Sequence, residues 1–120
     1  MVSIGVCWSP AILEHKLERV DEERSGPIEE VWNCRRLPQG LGKDSHGDRL
    51  FVACRGSWVG FFRLVPEVLY NPQDPRCPYA LIFDARSWRS LDSDITAKPF
   101  RGWTYSVPTE VIQIADGVEW

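Results

Sequence analysis

The sequence predicts an α+β domain: a small mixed β-barrel of five to six short strands with one or two helices. Three observations carry that expectation. Several short apolar runs rich in Val, Ile and aromatic residues are bounded by Gly, Pro and Asp clusters. Only one segment has clear helical spacing. Consecutive strand-like runs are mostly joined by long, non-local connections, a pattern that suits a barrel filled by side chains.

Ser3 to Trp8 is the first apolar strand. Ser9-Pro10 then signals a helix start, with serine as N-cap and proline at the first helical position, where a missing N–H costs nothing. Ile12, Leu13, Leu17 and Val20 follow on one face, and Gly26-Pro27 ends the helix. "EEVWNCRR", Glu29 to Arg36, reads as a strand, and the Gly- and Pro-containing run from Leu37 to Gly47 as a loop. Arg49–Cys54 and Trp58–Val65 form a hairpin around an Arg-Gly-Ser corner. Both arms are too apolar to leave one face wet. Pro66 bends or ends the second arm, with pairing resuming through Leu69. Asn71 to Pro78, with three prolines, is an ordered connection to the strand "YALIFDA", Tyr79 to Ala85. Ser87 to Thr96 reads as polar turn, "KPFRGWTYSVP" as loop and edge strand, and "TEVIQIA", Thr109 to Ala115, as a short strand or helical turn.

At 120 residues the chain, 1–120, is expected to be one domain. A formal net charge of −3 argues against binding nucleic acid through a large positive field, so such a partner must be held by a local basic patch or by a pocket for a base. Cys7, Cys34, Cys54 and Cys77 are widely spaced without a CxxC pair, so no metal or other cofactor is expected. No secretory signal precedes "MVSIGVCW", and no apolar run reaches the roughly 20 residues that span a bilayer. The expectation is a cytoplasmic chain with reduced thiols and no membrane partner.

Six tryptophans supply the candidates for function. Trp58, at the hairpin corner, either packs beneath it or serves as a stacking platform, worth about 1–3 kcal/mol per stacked base. "PFRGWTY" joins Arg101, whose planar fork matches phosphate, to Trp103, Tyr105 and a glycine that admits close approach. Asp44 and His46 lie in a glycine-flanked loop and are the catalytic candidates, although Ser, Asp and Gly are also what turns require. Asp84, inside an apolar strand, needs a partner, and an ion pair with Arg35, Arg86 or Arg101 is expected.

The order "GDRLFVACRGSWVGFFRLV", then "YALIFDARSW", then "KPFRGWTY" resembles the PUA-like superfamily, in particular its ASCH and EVE domains, over Ser3 to Ile114. The resemblance implies a pseudo-barrel beside a cleft for a nucleotide or nucleobase, and in related domains an aromatic cage holds a modified base flipped from its strand. Carried onto this chain, it makes Trp8, Trp58 and Trp103 the cage, with Tyr105 beside it and Arg55, Lys98 and Arg101 near phosphate. Some ASCH-like proteins are hydrolases, but "SGPIEEVWNCRR" lacks their lysine-threonine pattern. The leading expectation is therefore a binder of RNA, modified DNA or a nucleoside through an aromatic, arginine-flanked cleft. A small hydrolase acting on RNA or acylated nucleosides and a protein–protein module with tryptophan anchors are the alternatives.

Overall fold

A computed structural model describes residues 2–21, 26–41 and 47–118. The chain runs β1 (Ser3–Cys7), α1 (Pro10–Leu17), a 3₁₀ turn (Glu18–Asp21), β2 (Glu29–Cys34), β3 (Arg49–Cys54), β4 (Ser57–Tyr70), β5 (Tyr79–Ser90), β6 (Trp103–Thr104) and α2 (Thr109–Asp116). One mixed sheet holds all six strands in the order β2-β5-β4-β3-β1-β6. β1 pairs with β3 in parallel, as its helical crossover allows, and the other pairings are antiparallel.

α1 starts where a cap is available. The Ser9 hydroxyl accepts from the Ile12 N–H at 3.3 Å, and Pro10 occupies the first turn. None of its residues is fully buried, and Ile12, Leu13 and Leu17 pack half-covered against the core beside β5.

β3 is buried along its whole length because both faces of the sheet are covered there. Leu50 and Val52 face the concave side with Ile4, Val6, Trp8, Phe62 and Phe83. Phe51 and Ala53 face the convex side with Trp58, Phe61, Val111 and Ala115. The amphipathic α2 supplies the last two, and its Asp116 pairs with the nearly buried Arg49. The C-terminal "TEVIQIA" run is therefore a helix, since its apolar residues at spacing four meet one sheet face.

Two pairing irregularities shape the sheet. β4 passes Pro66 with a register shift between Leu64 and Val68, where no ladder N–H is demanded of the proline. β5 does not turn at Ser87, as its polarity suggests, but continues to Ser90 and pairs a second time with β4, Gly60 opposite Ser90 and Phe61 opposite Arg89. Ser87 is spent on the irregularity itself. Its Oγ accepts from the Arg63 N–H and donates to the Asp84 carbonyl, both at 2.6 Å.

The sheet curls until its edges approach. Beyond the end of β2, the Arg36 carbonyl accepts from Trp103 Nε1 of β6 at 2.7 Å, and Gln39 N–H donates to the Tyr105 hydroxyl at 2.8 Å. Side chains rather than a ladder bridge the two edge strands, which makes the sheet a half-barrel.

Candidate functional site

The three indoles expected to form a cage do not do so. Trp8, Trp58 and Trp103 are 2%, 2% and 4% exposed. Trp8 packs among Trp32, Phe62 and Phe83 in the concave core. Trp58 belongs to the convex core, whereas Trp103 bridges the sheet edges at the margin of the same concave core that holds Trp8, so the three do not line one open site. The physical reason is that Trp58 and Trp103 lie on the covered faces of β4 and β6 while Trp8 follows β1 into the core, and an indole's area is too large to leave in water beside an available core. Tyr105 is half-exposed at the seam, with its hydroxyl already accepting from Gln39. Arg101 is exposed. Asp44 and His46 lie outside the described residues. Asp84 meets backbone instead of the expected arginine, its Oδ1 accepting from the Ile28 and Arg86 N–H groups at 3.0 Å each.

An aromatic, arginine-flanked groove does exist, built from other residues. It has a volume of about 590 Å³ and lies between α1, the β3–β4 corner and the far end of β5. Leu13 and Leu17 of α1 form one wall, Val59 and the half-buried Trp88 line the sheet side, and Arg55, Glu14, Ser57 and Ser90 add polar groups. Only Arg55 comes from the residues singled out in the sequence.

Trp88 is held by its surroundings. Its ring lies 4.7 Å from that of Phe62, and it occupies the space above Gly60, where an added Cβ would overlap the indole and sit 2.6 Å from the Arg89 carbonyl oxygen. The signal for Trp88 was present as the glycine in "VGFF", which clears room for a ring from the paired strand. A polar "RSWRS" context hid it.

Arg55 sits at a costly backbone position. Arg55 and Gly56 form the two-residue link between β3 and β4, with φ of 53° and 79°. Two consecutive positive φ values are those of the type I′ hairpin turn, whose first position normally takes Asn, Asp or Gly. A long L side chain in the left-handed region costs on the order of 1–2 kcal/mol. Such an outlier points to a use for the side chain, and this one stands at the groove rim. The corner is also pinned from outside, since Ala97 N–H donates to the Gly56 carbonyl at 2.9 Å and Trp58 N–H to that of Ile95 at 3.1 Å.

The groove can accept a flat, partly polar ring. Leu13, Leu17, Val59 and Trp88 make its lining apolar and aromatic, and Arg55, Glu14 and the two serine hydroxyls can donate to or accept from a ring edge. No group of three or more His, Cys, Asp or Glu side chains is placed to hold a metal ion among the described residues. Among the same residues, no helix is long and apolar enough to cross a membrane.

No family model matches the chain, and no curated protein matches it.

Proposed function

We propose that this chain is a PUA-like domain that binds a nucleobase, presented by single-stranded RNA or modified DNA or as a nucleoside, in the groove between α1 and the β3–β4 corner. The observation that carries the reading is Arg55, kept at φ 53° in a turn that prefers Asn or Gly, at the rim of a groove lined by Trp88.

The binding is non-covalent. The base stacks on Trp88, contributing about 1–3 kcal/mol. Glu14 accepts from the amino or imino N–H groups of the base, and Ser57 and Ser90 complete its edge. Arg55 meets the phosphate or a ring carbonyl with its planar fork. An acidic chain suits a pocket reader better than a backbone tracker, because stacking and edge bonds do not depend on a strong positive field. The groove volume falls within the roughly 300–1,000 Å³ of small-ligand sites. Four free cysteines accord with a cytoplasmic setting.

Calorimetric titration with short single-stranded oligonucleotides, unmodified and base-methylated, tests the reading. Saturable binding is expected, weakened about tenfold or more by Trp88→Leu and by Arg55→Glu and only modestly by salt. Absence of saturable binding to every oligonucleotide, or binding indifferent to both substitutions, overturns it.

A further inference from the structure

The β3–β4 corner has a second concavity on its other face. Ser57 and Val59 point to the groove already described, while Trp58 between them lines a pocket of about 410 Å³ on the convex side. Strand alternation makes this separation inevitable, so the two sites share a hairpin and no wall residue.

The pocket is framed by rigid pieces. Trp58 and Phe100 stack with centroids 6.1 Å apart and planes 29° apart. The six-membered ring of Trp58 covers Gly5, where a Cβ would lie 2.6 Å from Cη2. The backbone bonds from Ala97 to Gly56 and from Trp58 to Ile95 hold the loop that carries Lys98 and Phe100. Pro108, the N-cap of α2, closes one side without a side-chain capping bond.

Its polar groups are under-used. Trp58 Nε1–H is buried and has no acceptor among the described residues, a situation that costs about 1–3 kcal/mol. The Lys98 ammonium is exposed on the lining and has no hydrogen-bond or ion-pair partner among the described residues. Thr96, Thr104 and Ser106 add hydroxyls. The Thr104 hydroxyl accepts from Ser106 N–H at 3.1 Å and keeps its own proton to donate. A cation and three hydroxyls beside an aromatic wall match a ligand that joins a planar ring to an oxyanion.

We propose that this pocket is a second binding site, independent of the base groove, for a small aryl oxyanion such as an aromatic phosphate. The ring lies against Phe100, and the oxyanion reaches Lys98 and the hydroxyls.

Titration of ¹⁵N-labelled protein with phenyl phosphate, with inorganic phosphate and phenol as the separate halves, tests this. The Trp58 indole N–H resonance is expected to shift saturably with phenyl phosphate, and each half is expected to bind at least tenfold more weakly. Lys98→Glu should weaken phenyl phosphate at least tenfold, and Phe100→Ala should do the same while Lys98→Arg retains binding. The proposal is overturned by no saturable shift, by an affinity unchanged in Lys98→Glu, or by shifts confined to the Trp88 indole. The last result would place the ligand in the other groove.

Discussion

Trp103 Nε1–H donates to the Arg36 carbonyl oxygen at 2.7 Å, while the Arg36 guanidinium carbon lies 4.2 Å from the centroid of the same indole. One residue pair thus ties β6 to the segment after β2, at the two ends of the strand order. Trp103→Phe keeps a ring beneath the guanidinium and removes the hydrogen bond, with an expected loss of about 1 kcal/mol. Arg36→Ala leaves that bond and removes the cation–π contact together with the 3.4 Å bond from Arg36 Nη2 to the Trp103 carbonyl, an expected loss of about 0.5–1 kcal/mol at this exposed position. Urea midpoints measure both. If neither variant moves its midpoint, the seam is not a stabilising feature.

Gly60 governs where Trp88 can lie. Gly60→Ala drives a methyl group into the indole and toward the Arg89 carbonyl oxygen, which belongs to backbone and cannot step aside. Overpacking of this kind costs about 1–3 kcal/mol. Chemical denaturation should show that loss together with weakened oligonucleotide binding. A variant of native stability and affinity would mean that the indole is not held by this contact.

Arg55 is expected to separate stability from binding. Asn tolerates the left-handed turn position better than Arg, so Arg55→Asn should raise stability by about 1 kcal/mol or less. The same substitution should lower affinity for a base-containing ligand, because the rim cation is gone. A gain in both, measured by denaturation and calorimetry, would show that Arg55 has no part in binding.

Burial, with Cys77 nearby as the smaller cause, pushes the Cys34 thiol up to about 11 from its ordinary 9.0. The native state therefore keeps this proton where the unfolded chain releases it. Its contribution to stability is complete below pH 9 and is lost as pH rises toward 11. The stability gap between the parent protein and Cys34→Ala should narrow over that interval. Alkylation of the native protein at pH 8 should reach the half-exposed Cys7 and Cys77 well before Cys34, as peptide mapping would show.

Most of the elements were legible because local rules decided them. Ser9-Pro10 announced α1, the unbroken apolar runs announced a hairpin covered on both faces, and three prolines marked the connection before β5. The second half of β5 was hidden because Arg86, Ser87, Arg89 and Ser90 are polar. It is a strand through its renewed pairing with β4, which no local propensity reports. The site was less legible for a related reason. Trp58 and Trp103 stand in the most aromatic segments, yet alternation turns both inward, and Trp88 reaches the groove from a stretch that resembles a turn. The arginine beside a glycine at the corner was visible, but its positive φ was not.

Intermolecular nuclear Overhauser effects between a bound nucleoside or oligonucleotide and assigned aromatic protons test the central claim most directly. The account predicts contacts from base protons to the Trp88 ring and the Leu13 methyl groups, with none to Trp8 or Trp103. Base contacts to any other surface, with Trp88 silent at saturation, would contradict it.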